Sequence, residues 1–192
     1  GKDLYRTVEA AVKGGVSMVQ LREKESSTRE FVERAIRLKE VLTPYGVPLI
    51  INDRVDVALA ADADGVHVGQ SDMPYEMVKR LLPEGKIIGL SVESPEQVLE
   101  ANNYDLDYVA ASPVFSTTTK TNTIVEWGLD GLRWIRSVSR HPLVAIGGIH
   151  SNNVASICKA GADSVAVISA IVSADDPERA ARELLEKSGE PH

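Results

Sequence analysis

Short apolar runs, each ending in polar or charged residues and each followed by a segment of helical periodicity, recur along the whole chain, and nothing else in it restricts the fold as much. The run at 16–21 closes on Gln20-Leu21-Arg22-Glu23-Lys24, and the run at 48–51 closes on Asn52-Asp53. Gln70 and Asp72 follow 65–69, Ser91 follows 87–90, Lys120 follows 108–115, Gly147-Gly148 follows 143–146, and Ser169 ends 164–168. Short apolar strands alternating with longer helical segments require a parallel sheet covered by helices. Polar residues at the ends of nearly all the strands then gather on one rim, where a (β/α)8 barrel keeps its active site.

Strands are expected at about 16–21, 48–52, 64–68, 86–91, 107–112, 142–146 and 164–169, seven in all. A closed barrel needs an eighth, and its natural place is before Gly1. Because the chain opens on Gly1 with a helix already expected at 7–13, the expectation is a TIM (β/α)8 barrel lacking its first β-strand in this chain. An open seven-stranded sheet with flavodoxin-like winding is the alternative. The uniform strand-loop-helix rhythm, with no Gly-rich first turn of the dinucleotide type, favours the barrel.

At 192 residues and 43% hydrophobic content, the chain suits one domain spanning 1–192. A net charge of −7 without a basic block argues against nucleic acid, and no apolar run approaches the length of a membrane span. The single cysteine, Cys158, excludes an internal disulfide and fits a reducing compartment, so a cytoplasmic location is expected.

Helix starts are marked by Ser27-Thr28-Arg29-Glu30, by Ser94-Pro95-Glu96, by His150-Ser151-Asn152-Asn153 and by Asp175-Asp176-Pro177-Glu178. Gly14-Gly15 closes the helix expected at 7–13.

Asp53 and Asp72 end consecutive strands, so their carboxylates can converge on one ion. Hard oxygen donors with Asn52 and Gln70 nearby suit Mg²⁺ that completes its octahedron with water and a substrate phosphate. Taken singly, each aspartate is better read as the cap of the helix that follows it; taken together beside basic residues, they favour a metal. Arg22, Lys24 and Lys120 would supply positive charge for a diphosphate. Lys120 ends Ser116-Thr117-Thr118-Thr119-Lys120, a run of hydroxyl donors suited to a loop that closes on oxyanions. A second anion site is suggested by Gly147-Gly148, whose backbone can approach a phosphate, and by Ser169-Ala170 opening a helix. Two anion sites around one metal imply two phosphorylated substrates.

Gln20-Leu21-Arg22-Glu23-Lys24, Ile51-Asn52-Asp53-Arg54, His67-Val68-Gly69-Gln70-Ser71-Asp72, Gly89-Leu90-Ser91, Thr117-Thr118-Thr119-Lys120, Ala145-Ile146-Gly147-Gly148-Ile149 and Val167-Ile168-Ser169-Ala170-Ile171 together resemble thiamine-phosphate synthase over almost the whole chain. The resemblance implies a transferase that joins hydroxymethylpyrimidine diphosphate to a thiazole phosphate, releasing pyrophosphate with Mg²⁺. It implies that Gln20, Arg22, Lys24, Asn52, Ser91 and Lys120 hold the pyrimidine diphosphate, with Lys120, Ser91 and Arg22 as the catalytic residues. Asp53 and Asp72 would bind Mg²⁺, and Thr117, Thr119, Gly148, Ile168 and Ser169 would receive the thiazole phosphate. Loss of pyrophosphate would leave a pyrimidine-stabilised carbocation for the thiazole nitrogen to capture, with no protein nucleophile.

Three positions depart from the family's usual residues: Ser112 before Pro113 where Gly is usual, Ser116 in place of Pro, and Asn122 in place of Asp. A thiazole tautomerase on the same barrel is the nearest alternative, but such proteins tend to lack the metal aspartates and the Thr-x-Thr-Lys loop and to carry a histidine near the thiazole. A non-catalytic ligand-binding barrel is the third reading, and a homo-oligomer is compatible with all three. His67 is expected to be a packed or rim residue, His141, His150 and His192 to lie in turns or the tail, and Cys158 to be a small buried side chain. Trp127 and Trp134 are expected to pack, and Glu23 to point away from its neighbours Arg22 and Lys24.

Overall fold

The computed structural model describes residues 3–116 and 126–189. Seven parallel strands are hydrogen-bonded in sequence order: β1 (Val19–Leu21), β2 (Leu49–Asn52), β3 (Gly65–Val68), β4 (Ile87–Val92), β5 (Tyr108–Ala111), β6 (Leu143–Ile146) and β7 (Ser164–Ala166). Every neighbour in the sheet is the next strand in the chain, so the order never reverses and the flavodoxin-like alternative is set aside. The helices between strands are α2 (Thr28–Leu42), α3 (Val55–Ala60), α4 (Tyr75–Leu81), α5 (Pro95–Ala101), α6 (Gly128–Val138) and α7 (Val154–Lys159). They are flanked by α1 (Leu4–Lys13) at the start and by α8 (Ser169–Val172) and α9 (Pro177–Ser188) at the end. First and last helices meet: a methyl group on Gly14 would sit 2.2 Å from the Glu178 carbonyl oxygen, so only glycine lets α1 end against α9.

Strand alternation divides the sheet into two faces. Leu49 and Ile51, Val66 and Val68, Ile88, Leu90 and Val92, and Val109 and Ala111 all join one apolar cluster with helix residues such as Phe31, Leu38, Val57, Val98 and Leu132. The opposite parity, Ile50 and Asn52, Gly65 and His67, Gly89 and Ser91, Tyr108 and Ala110, lies outside that cluster and faces the interior of the curl. Helices on one face and a polar-tipped concave face on the other make a TIM-like α/β architecture.

The caps explain why the helices begin where they do. Ser27 and Glu30 form a reciprocal capping box at α2, Ser94 accepts from Gln97 N at α5, and Asp176 accepts from Arg179 N at α9, as the sequence indicates. Asp3 caps α1, which therefore starts three residues before the expected Thr7. Asn153 does not cap α7 with its side chain; its amide carbonyl instead accepts from His150 N at 2.9 Å and its amide nitrogen donates to the Gly148 carbonyl at 2.8 Å.

Two strands fall three residues short of the expected length. At 16–21 only Val19–Leu21 pairs, because Val16 N is bonded to Ala11 O and closes α1. At 164–169 pairing stops at Ala166, since Ser169 already begins α8. At the amino-terminal end of the sheet, Asp64, Asp107 and Asp163 accept from the backbone N–H groups of Leu49, Ile88 and Leu143 at 2.8, 2.8 and 2.7 Å, each tying its own strand to the one before it. These carboxylates stabilise the end remote from the polar rim.

Candidate active site at the carboxyl ends of the strands

Beyond β2 the backbone takes an unusual turn. Asp53 has φ +64°, a conformation that aspartate tolerates better than most residues, and its N–H donates to the His67 carbonyl at 2.8 Å. The turn directs the Asp53 carboxylate to Lys24, whose ammonium donates to Asp53 Oδ2. Asp72, in the loop after β3, accepts from Gly69 N at 2.7 Å. Neither aspartate caps a helix: the N-cap of α3 is Arg54 and that of α4 is Pro74, and neither helix has a side-chain cap bond.

Asp53 and Asp72 are close enough to share a hydrogen bond. Burial pushes both carboxyls upward. At Asp53 the contacts with Asp72 and Lys24 outweigh burial and hold the group below its ordinary value of 3.8. At Asp72 burial and then the neighbouring Asp53 both act upward, and its pKa is raised. Two carboxyls in one place, one lowered and one raised, mark a site that gathers negative charge and wants a cation.

A row of residues in register lies just inside the rim. Asn52 pairs with His67, His67 with Gly89, and Gly89 with Tyr108. Tyr108 stretches across Gly89 to reach His67, so that a methyl group on Gly89 would fall 2.1 Å from Tyr108 Cζ. The Tyr108 hydroxyl is 2.9 Å from His67 Nδ1, and His67 Nε2 is 2.7 Å from Ser91 Oγ. Asn52, His67, Ser91 and Tyr108 are all buried. Gln70 reaches the same corner, its amide nitrogen donating to the Ser91 carbonyl at 2.7 Å.

The remaining expected site residues that are described are spread around the rim. Gln20 is exposed on β1, level with Ile50, and Arg22 is exposed just beyond that strand. Glu23 turns toward α2, where Arg34 and Ser26 hold it. Gly148 (φ +67°) and Gly147 (φ +103°) follow β6, and added methyl groups there would meet Phe115 Cβ and Pro113 Cβ, each at 2.8 Å. These two glycines therefore also let the 113–116 segment pack over the end of β6, a reason for Gly-Gly that phosphate approach alone does not supply. Ile168 is 52% exposed and Ser169 opens α8 beside it. Thr117, Thr119, Lys120 and Asn122 lie outside the described residues. Ser112 is buried beside Pro113, and Ser116 donates to the Glu126 carboxylate.

The structure thus brings Lys24, Asp53 and Asp72 together, and joins Ser91 to Gln70, His67 and Tyr108. Sequence reasoning left His67 as a packed or rim residue and gave Tyr108 no part. Period-two counting puts Asn52, His67 and Tyr108 on the interior face, but only the strand register, with Gly89 as the gap that lets the tyrosine through, brings His67 and Tyr108 together. Trp127 and Trp134 stack at 6.3 Å as packing residues, with Trp127 Nε1 donating to the Val92 carbonyl. His141 is buried and bonded to the Ala101 carbonyl, and Cys158 is only half-buried against the core.

Comparison with known proteins gives a consistent result. A family model described as thiamine monophosphate synthase matches residues 1–171. A thiamine-phosphate synthase of Albidiferax ferrireducens is 53% identical over 184 residues, covering 96% of this chain and 84% of that protein. One from Vibrio parahaemolyticus is 50% identical over 182 residues, covering 95% and 89%. Among solved structures, a thiamine phosphate pyrophosphorylase from Pyrococcus furiosus superposes with a TM-score of 0.90 at 41% identity, covering 98% of this chain and 90% of that one.

Proposed function

Since the chain belongs to the thiamine monophosphate synthase family, we propose that its strand-end rim joins a pyrimidine diphosphate to a thiazole phosphate with the help of Mg²⁺. Relatedness at this level makes it a transferase of thiamine biosynthesis that forms thiamine phosphate, and both relatives named above carry the synthase name rather than a tautomerase one. We infer the division of labour among its residues from that family resemblance.

The observation that carries the site is the Lys24, Asp53 and Asp72 cluster, in which neither carboxylate is used up as a helix cap. Its chemistry suits Mg²⁺, which keeps several waters and takes one or two carboxylates together with substrate phosphate oxygens. Among the described residues no group of three or more His, Cys, Asp or Glu is gathered for a metal. When bound, the metal supplies positive charge against the leaving diphosphate. Arg22, Lys24 and Lys120 add to that charge as diphosphate ligands, and Gln20, Asn52 and Ser91 orient the pyrimidine. Thr117, Thr119, Gly148, Ile168 and Ser169 receive the thiazole phosphate.

The bond between the pyrimidine methylene carbon and the diphosphate oxygen breaks, and its electron pair leaves with pyrophosphate. The thiazole nitrogen lone pair then forms the new C–N bond. No proton moves and no protein nucleophile is needed, so alignment and charge neutralisation are the protein's work. The finer fold assignment, a (β/α)8 barrel, belongs to the same proposal. Among the described residues β1 and β7 each pair on one side only, and an eighth parallel strand between them would satisfy both edges. Cytoplasmic location, no nucleic-acid or membrane partner, and compatibility with a homo-oligomer complete it; among the described residues no helix is long and apolar enough to cross a membrane.

The test is formation of thiamine phosphate and pyrophosphate from the two phosphorylated precursors, with Mg²⁺ and with chelator. Mg²⁺-dependent product is expected. Product formation undiminished by chelator would remove the metal assignment.

A further inference from the structure

We propose that Tyr108 and His67 are positioning residues which act through Ser91, fixing its hydroxyl as a hydrogen-bond donor toward the pyrimidine diphosphate. The inference rests on the assignment of Ser91 to that substrate and deepens it.

The direction of the chain of bonds follows from what each group can give and accept. Among the described residues, His67 Nδ1 is the hydrogen-bond partner of the Tyr108 hydroxyl. That hydroxyl is buried, and burial drives its pKa well above the ordinary tyrosine value, so it keeps its proton and must donate it. Nδ1 is therefore the acceptor, and the imidazole carries its proton on Nε2. Nε2–H donates to Ser91 Oγ across 2.7 Å. With that lone pair occupied by a fixed donor, the Ser91 hydrogen turns away from His67, toward the concave face where the interior residues of the strands end. The opposite tautomer would aim the Ser91 hydrogen at His67 and strand the buried tyrosine proton.

Two features show that the arrangement is built in rather than incidental. Glycine at 89 leaves the lane through which Tyr108 passes, and the strand register sets Asn52, His67, Gly89 and Tyr108 at one level, with Ser91 on the same face of β4 one step nearer the rim. Gln70 fixes the other side of Ser91 through its carbonyl, leaving rotation of the hydroxyl as the remaining freedom, which His67 removes. A preset donor raises affinity for a substrate presenting an acceptor there, a ring nitrogen or a diphosphate oxygen, and disfavours an analogue without one.

The test is a double-mutant cycle read in separate KM values for the two substrates. His67→Leu and Tyr108→Phe should each raise KM for the pyrimidine diphosphate by roughly 3- to 10-fold while leaving that for the thiazole phosphate within about twofold. His67→Gln, whose amide nitrogen can take the place of Nε2, should recover most of the loss. In a Ser91→Ala background, His67→Leu should change nothing further. A loss as large in that background as in the wild type, or an equal rise for both substrates, would overturn the role through Ser91. Imidazole ¹⁵N spectra of the cooperatively folded protein, with the His67 signal assigned by its loss in His67→Gln, should show the Nε2–H tautomer. An Nδ1–H signal would overturn the relay whatever the activity. A wild-type chain forming no thiamine phosphate would instead overturn the substrate assignment and the kinetic role with it.

Discussion

The ammonium of Lys24 donates to the carboxylate of Asp53, so without ligands the site meets its own demand for positive charge with a side chain. Half of the Lys24 side chain is exposed, and it sits on a loop between β1 and α2 from which it can swing. A divalent cation arriving alone must displace this lysine, whereas one arriving with a diphosphate offers the lysine a new partner. Metal and diphosphate are therefore expected to bind with positive coupling. Titration calorimetry with Mn²⁺ should give weak binding to the wild type, tighter binding to Lys24→Met, and tight binding to the wild type once pyrophosphate is present. Equal affinity in wild type and Lys24→Met would show that the lysine does not compete.

Asp53 and Asp72 separate function from stability in opposite ways. Both Asp53→Asn and Asp72→Asn should lower turnover on the order of a hundredfold if they hold the metal. Their effects on the ligand-free fold should differ. Asp72 is half-buried beside another carboxylate and its charged form is disfavoured, so Asp72→Asn relieves repulsion and should raise the melting temperature near neutral pH. Asp53→Asn deprives Lys24 of its partner and should lower it. Melting curves in metal-free buffer decide this, and a drop in Asp72→Asn would refute the repulsion.

Gly89→Ala tests the interior row. The new methyl group would fall within 2.6 Å of three atoms of the Tyr108 ring and hydroxyl, in a layer with buried neighbours on both sides. Overpacking of this kind costs about 1–3 kcal/mol. Urea denaturation should show that loss, and Gly89→Ala/Tyr108→Ala should recover part of it because the cavity left by the ring accepts the methyl. A double variant no better than the sum of its parts would place the strain elsewhere.

Much of this fold is legible in the chain because strand burial and helix capping are local signals. The runs at 48–52 and 64–68 differ from the observed β2 and β3 by one residue at one end, and Ser27, Ser94 and Asp176 cap where their residue types say they should. Boundaries fail where the end of a helix claims the neighbouring residues: Val16 belongs to the closure of α1, and Ser169 to α8 rather than β7. Within the site, Asp53 and Asp72 stand out as charges at strand ends, but only the turn at Asp53, with its positive φ and its bond to the His67 carbonyl, reveals that the two carboxyls meet. The partnership of His67 with Tyr108 joins residues 41 apart in sequence through strand register, which no local pattern encodes. The repeated aspartates at 64, 107 and 163 do have a local signature, since each stands at or just before the start of an apolar strand, and their task of holding the preceding strand is clear only once the strands are paired.

Exposed carboxylates held by lysines or by a helix cap govern behaviour in acid. The Asp62 carboxyl is held below 3.8 by hydrogen bonds from Lys86 and then Lys39, and Asp105 by its bond from Lys79. Glu30 is held below 4.5 by the Ser27 hydroxyl and backbone N–H of the capping box. Groups with a depressed folded-state pKa bind protons more readily in the unfolded chain. Their stabilising contribution is present above the unfolded pKa values and is lost as pH falls through the folded ones. These groups should therefore add no slope to the urea midpoint from pH 7 to about 5 and a steady fall below about pH 4. These pairs are exposed and salt weakens them, so the slope should be steeper at low ionic strength. Asp62→Asn and Asp105→Asn should lower the plateau slightly and flatten the acid limb, because asparagine has no proton to take up. A variant with the same acid slope as the wild type would show that its carboxylate contributes nothing to the pH dependence of folding.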